Sequence, residues 1–351
     1  MRIAQVAPLI ESVPPKLYGG TERVVSYLTE ALVDMGHDVT LFASGDSHTR
    51  ARLVSTCCRA LRLDESVRDP LPHTLLLLER ARQMADEFDI LHFHVDLLHF
   101  PIFRPLRERT VTTLHGRLDL PDLVPFAREF ADMPVVSIST AQRAPLPWMR
   151  WMATVPHGLP KDLLQFHPQP GGYLAFLGRI SPEKGPERAI RIARRAGMPL
   201  RIAAKVDRAD QAYYETVVRP MLRQPGVEFL GEITEAEKSE FLGNAAALLF
   251  PVDWPEPFGL VMIEAMACGT PVIAFRRGSV PEVLEDGVTG FIVEHEGEAV
   301  RALDRLGDLD RHTIRRVFEQ RFTAERMARD YLALYEALLS QEQNGRLEEA
   351  A

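Results

Sequence analysis

Three cysteines, Cys57, Cys58 and Cys268, are too few for a disulfide framework and have no metal-ligand spacing, so a reducing, cytoplasmic setting is expected. No apolar run approaches the ~18 residues that a membrane span needs. The start MRIAQVAPLI has no basic stretch ahead of a longer apolar one, so no signal peptide is expected either. Positive charge is also short. Forty-one Lys and Arg stand against 49 Asp and Glu, a formal net charge of -8, which speaks against a nucleic-acid partner. Walker, serine-elbow, zinc and G-x-G-x-x-G signatures are absent as well.

What remains is a globular composition, 46% hydrophobic and 26% charged, in 351 residues, more than one ordinary core accommodates. Short apolar runs at 2–7, 38–43, 90–94, 110–114, 135–139 and 153–155 predict strands, with helical spacing at 21–35 and 75–88 between them. Proline and glycine crowd residues 157–172, where a linker is expected. The alternation then restarts, with strands at 173–177, 200–204, 227–230, 247–250 and 272–275 and helices at 182–196, 211–222, 235–246 and 259–267. Residues 311–339 are helical by pattern, with Phe322, Met327, Tyr331, Leu334, Tyr335 and Leu338 on one apolar stripe. Strands alternating with helices imply an α/β chain of two Rossmann-like, doubly wound parallel-sheet domains, over 1–160 and 161–322, facing across a cleft.

Ligands of open α/β sheets bind beyond the carboxyl ends of the strands, so polar residues there carry the functional argument. In PEPFGLVMIEAMACGTPVIA, Glu256 and Glu264 flank a helix entry whose amides on Gly259, Leu260 and Val261 can meet an anion. Two carboxylates around amide donors suit a ligand with both phosphates and vicinal hydroxyls; a capped helix with two solvated glutamates is the structural alternative. In LGRISPEKGPERAI, Gly178 allows close backbone approach, Arg179 offers a fork for phosphate, and Lys184 brings a second cation. Surface charges on a turn are the alternative there. Gly19-Gly20 in YGGTERVV make a phosphate-tolerant turn or simply a tight one. Among histidines at strand ends, His115 in TTLHG is the best placed, while His92 and His94 share a face but lack a third ligand, so no metal site is expected. Asp308-Leu309-Asp310 lies away from the strand ends and reads as a solvated face.

These motifs resemble, in order and over nearly the whole chain, the retaining GT-B glycosyltransferases of family 4. The resemblance rests on YGGTERVV, TTLHG, VSIST, LGRISPEKG, EPFGLVMIEAMACGTPV, GVTGFIV and the closing RFTAERMARDYLALYEALL. It implies that Arg179 and Lys184 hold the diphosphate of the donor and that Glu264 accepts from its ribose hydroxyls. Glu256, with the Phe258, Gly259 and Leu260 amides, would surround the donor sugar and phosphate. Gly20, beside Gly19, would close over the phosphates, and His115 would lie beside the reacting sugar. His115, Arg179, Lys184 and Glu256 form the implied catalytic set. The implied reaction moves a hexose from a nucleotide-diphosphate sugar to a hydroxyl, with retention, by a front-face route, and without metal or other cofactor.

UDP-glucose is the favoured donor and GDP-mannose the other candidate; the acceptor is a small molecule, lipid or glycan. A sugar-nucleotide epimerase of the same fold and a non-catalytic nucleotide-sugar-binding subunit remain alternatives. In this fold the last helix, here 323–345, crosses back to the first domain. The chain departs from the family at VPHGLP, where His157 stands at a position that is Asn in many relatives. Its proline-rich loop LIESVPPKLYGG resembles that of a bacterial subgroup assigned to glucosylation of small acceptors such as pterins.

Overall fold

A computed structural model describes residues 1–16 and 19–349. The chain divides into two compact units, Met1–Gly158 with Ala324–Ala351, and Leu159–Thr323.

The first unit is built on seven strands, β1 (Arg2–Val6), β2 (Asp38–Phe42), β3 (Arg52–Val54), β4 (Ile90–Phe93), β5 (Thr110–Thr113), β6 (Pro134–Ser137) and β7 (Arg150–Thr154). They form one parallel sheet in the order β3-β2-β1-β4-β5-β6-β7. Every residue of β4, β5 and β6 is buried, as expected for parallel strands covered on both faces. β3 escapes the sequence pattern because it is a three-residue edge strand, no residue of which is fully buried. The helix Gly20–Asp34 follows the loop after β1 and buries Val24, Val25, Leu28 and Leu32.

The second unit repeats the plan with six strands, β8 (Tyr173–Arg179), β9 (Leu200–Lys205), β10 (Val227–Gly231), β11 (Ala245–Phe250), β12 (Val272–Phe275) and β13 (Gly290–Val293). Their order is β10-β9-β8-β11-β12-β13, again parallel throughout. In each sheet the order reverses once, between β1 and β4 and between β8 and β11. Crossovers leave such neighbours in opposite directions, which opens a crevice at their carboxyl ends.

The helical pattern over 311–339 is carried by two helices, Arg311–Arg321 and Ala324–Glu349. Phe322 ends the first: its ring packs edge-on to Phe258, 6.2 Å between centroids, and Thr323 forms a β-bridge with Leu159. The apolar spacing continues across the break because both segments are buried, so periodicity alone cannot reveal it. After the break the chain belongs to the first unit, where Tyr331 and Tyr335 are fully buried. The two connections run side by side, Leu159 N–H donating to Phe322 O at 2.9 Å. Arg326 Nη2 donates to the carbonyls of Pro156 and His157 at 2.7 and 2.9 Å. Among the described residues no helix is long and apolar enough to cross a membrane.

Arg311 ties the second unit together from inside. Only 7% exposed, it donates to the carbonyls of His167 (2.7 Å), Ala245 (3.0 Å) and Gly243 (2.7 Å) and to Thr270 Oγ1 (2.6 Å). Replacing a charged donor by an apolar side chain strands its buried acceptors. Arg311→Leu is therefore expected to lower unfolding free energy by about 3 kcal/mol, read as a shift of the urea midpoint; an unchanged midpoint would contradict this role.

Candidate functional site

In the second unit the residues expected to act cluster where strand order reverses. Arg179 ends β8, and its guanidinium is paired with Glu183, with Asp210 at 3.4 Å and with Asp207 at 3.8 Å. Five residues on, Lys184 Nζ lies 2.5 Å from Glu256 Oε2, across the opening between β8 and β11. The same oxygen accepts from Trp254 Nε1 at 2.7 Å, and the Trp254 ring lies 5.0 Å from the ammonium. Glu256 is 6% exposed, so it is no solvated glutamate. Its loop is held by the segment after β12: Ser279 N–H donates to Glu256 O and Ser279 Oγ to Phe258 O, both at 2.9 Å. Gly278 must be glycine for this contact. Its φ is 52°, and a Cβ would stand 2.3 Å from Glu256 O.

Glycine at 259, with φ 82°, opens the helix Leu260–Ala267 with no side-chain cap. The amides of Gly259, Leu260 and Val261 thus lead a helix start that carries partial positive charge. Phe258 contributes through its backbone, since its ring is buried against Phe322. In the second turn Glu264 is 2% exposed, and its Oε1 accepts from Lys238 Nζ at 2.6 Å. Glu235 is 3.4 Å from the same ammonium. Sequence reasoning missed Lys238. The available signal was a lysine at the core spacing of Phe241 and Leu242 in the helix Glu235–Gly243, where it is 8% exposed. Asp310 of the D-x-D is a helix cap, accepting from the His312 and Thr313 amides.

The first unit carries the histidines. His115 follows β5; its Nε2 is 2.9 Å from His94 Nδ1, and His94 Nε2 is 2.8 Å from Gln5 Oε1 in β1. His92 lies between Tyr335 OH (2.7 Å) and Thr113 Oγ1 (2.8 Å), an ordinary buried pairing. His157 stacks on His115 with centroids 5.2 Å apart. His99 is buried nearby, its Nε2 2.8 Å from Thr112 Oγ1 in β5. Burial holds all these imidazoles neutral, pushing His115 down to about 3 and His92, His94, His99 and His157 well below the usual range; mutual repulsion adds to this in His92, His94, His99 and His157. Gly19 has a packing reason, because its Cβ would lie 2.8 Å from Pro15 Cβ, whereas Gly20 begins the helix.

Comparison with known proteins gives a consistent picture. The family described as Glycosyltransferase Family 4 matches residues 18–158, and the family described as Glycosyl transferases group 1 matches residues 165–317. D-inositol 3-phosphate glycosyltransferase of Mycolicibacterium smegmatis is 36% identical over 125 residues, 34% of this chain and 29% of the relative. Its namesake from Streptomyces griseus is 32% identical over 175 residues, 43% of this chain and 33% of the relative. The chain thus matches about a third of the length of these curated relatives. Among solved structures, AviGT4, a glycosyltransferase involved in avilamycin A biosynthesis, superposes with a TM-score of 0.75 at 23% identity, covering 97% of this chain and 98% of that one. Anabaena HepE in complex with UDP gives 0.72 at 18% identity, covering 96% and 100%.

The buried histidines make acid sensitivity an expected property of the first unit. An imidazole that is neutral when folded and titrates near 6.5 when unfolded adds stability above that value and loses it as pH falls, by about 1.4 kcal/mol per pH unit. Glu22, raised to about 7 by burial, opposes this by one proton. The apparent unfolding temperature is therefore expected to be level above about pH 7 and to fall steeply between about pH 6.5 and 5. A flat profile through that window in a thermal-melt series would contradict it.

Proposed function

Because the chain belongs to family 4 of the glycosyltransferases and has their GT-B fold, we propose that it moves a hexose from a nucleoside-diphosphate sugar to an acceptor hydroxyl, with retention and without a divalent metal. The observation that carries this reading is the pair of cations Arg179 and Lys184 at the strand-order reversal, beside Glu256 and the helix start at Gly259. Negative charge develops on the diphosphate as the anomeric C–O bond breaks, and fixed cations and helix-terminal amides stabilise it. On the front-face route the acceptor oxygen bonds to the anomeric carbon while its proton passes to the departing phosphate oxygen, giving the glycoside and the nucleoside diphosphate. Glu264, steadied by Lys238, takes the ribose hydroxyls and Glu256 borders the sugar. UDP-glucose is the preferred donor in this reading, supported by the fold shared with HepE, which is described in complex with UDP-glucose. GDP-mannose is the second choice.

A thermal-shift and nucleotide-release panel tests it, with UDP-glucose, UDP-GlcNAc, UDP-galactose, GDP-mannose, ADP-glucose and NAD, in EDTA throughout. One sugar nucleotide is expected to stabilise the protein and to release its nucleoside diphosphate slowly. Lys184→Ala and Glu264→Ala are each expected to lower kcat/KM about 100-fold or more. Silence across all sugar nucleotides, or wild-type kinetics in both variants, sinks the assignment. Interconversion of the sugar with the donor alone would point instead to an epimerase.

A further inference from the structure

The histidine cluster of the first unit is one end of a continuous buried chain of polar groups. From His115 the chain runs through His94 and Gln5, and Gln5 Nε2 then donates to Tyr335 OH at 3.2 Å. Tyr335 OH is 2.7 Å from His92 Nδ1, His92 Nε2 is 2.8 Å from Thr113 Oγ1, and Thr113 Oγ1 is 2.7 Å from Tyr331 OH. Gln5, His92, His94, Thr113, Tyr331 and Tyr335 are all at most 2% exposed, so no water shell scrambles the pairing.

Such a chain has one polarity. A neutral imidazole has one N–H and one lone pair, and a carboxamide oxygen only accepts. Because Gln5 Oε1 faces His94 Nε2, that nitrogen carries the proton and His94 Nδ1 is the acceptor. His115 Nε2 must then be the donor to His94, which leaves His115 Nδ1 as a lone pair. The same amide fixes the other direction: Gln5 Nε2 donates to the Tyr335 oxygen, freeing the Tyr335 proton for His92 Nδ1. Reversing the amide would reverse every bond and end the chain in a buried N–H at His115. His115 Nδ1 is buried and has no hydrogen-bond partner, and an orphaned buried N–H is rarer than an orphaned acceptor. The unsatisfied atom is therefore better as a lone pair. His157, stacked on the ring at 19° between planes, holds the orientation of His115.

We propose that Gln5 and His94 are positioning residues for the transfer reaction: they lock His115 in the Nε2–H tautomer, so that its Nδ1 accepts from a substrate hydroxyl and disfavours a carboxylate or phosphate. The inference rests on the transferase reading for its substrate, but the tautomer does not. Neither Gln5 nor His94 need touch the substrate, and Gln5 acts on His115 through an intervening ring.

Long-range 1H–15N correlation spectra of the full chain, labelled with ring-15N histidine at pH 7.5 and assigned with His115→Asn, decide it. Wild type is expected to show His115 protonated on Nε2, with Nδ1 bare. In Gln5→Met, which removes the amide without adding charge, His94 loses its fixed acceptor and the His115 signals are expected to move to an average of the two tautomers. Addition of UDP-glucose is expected to shift the Nδ1 resonance towards the hydrogen-bonded range. His115 protonated on Nδ1 or doubly protonated in wild type overturns the proposal, as does an unchanged His115 in Gln5→Met. Should Gln5→Met fail to fold, the wild-type spectrum still decides the tautomer. UDP-glucose that binds by thermal shift but leaves Nδ1 unmoved overturns the substrate half, whereas UDP-glucose that does not bind counts against the transferase reading and leaves the tautomer to the first spectrum.

Discussion

Reversal of strand order, once in each sheet, is the constraint on which the polar architecture depends. Parallel strands deliver all their carboxyl ends to one edge, and where successive crossovers depart in opposite directions that edge is left uncovered. β8 and β11 are such neighbours; Arg179 ends β8, and the loops beyond the two strands carry Lys184 on one side and Trp254 and Glu256 on the other. The Lys184–Glu256 pair spans the opening that results. In the first unit β1 and β4 meet in the same way, with Gln5 in register with His92 and the Gln5 amide reaching His94 two residues further on. One topological rule thus sets both a cationic edge and a neutral imidazole edge, and the difference between them is written in side chains alone.

The cationic edge is balanced before any ligand arrives. Arg179 has three carboxylates within 4 Å, Lys184 has Glu256, Lys205 has Asp207 at 2.6 Å, and Lys238 has Glu264. Half-buried charges cannot be left bare without a large desolvation cost, so the protein supplies partners of its own. In the proposed reaction an arriving diphosphate would exchange with those carboxylates, and its gain would be the difference between new and old partners. Under that proposal discrimination would rest on groups that recognise shape and hydroxyls, namely the helix-opening amides and the buried Glu264. The imidazole edge follows the opposite policy: burial keeps every ring neutral, so its selectivity lies in which nitrogen bears the proton.

Much of this was legible in the sequence, for identifiable reasons. Strands buried on both faces read as short β-branched and apolar runs, as in the VVS of β6, and Gly259 after Pro257-Phe258 marks a helix start. β3 was not legible, being a three-residue edge strand, and the apolar spacing runs unbroken across Phe322, so periodicity alone does not mark the break there. Lys238, Gly278 and Ser279 were missed because their roles are tertiary. Lys238 is 26 residues from the carboxylate it holds and Ser279 is 21 from the carbonyl it binds. The polarity of the histidine chain is less legible still, because it is decided by the orientation of one glutamine amide 89 residues from the histidine it addresses.

The glycines sort by cause in a way that sequence could not. Gly19 is required by Pro15, whose Cβ would sit 2.8 Å from an added methyl group, so its presence says nothing about a ligand. Gly259 is required by a φ of 82° at the head of its helix. Gly178 has neither reason: a Cβ there would meet nothing within 4 Å, and its backbone lies outside the left-handed region. It stands in the last turn of the pleat before Arg179, at the carboxyl end of a strand beside the reversal. Alanine would fit the fold equally well and would lose less conformational entropy on folding. Under the proposed function, close approach of the donor to the backbone beside Arg179 and Lys184 would account for a glycine that the fold does not need.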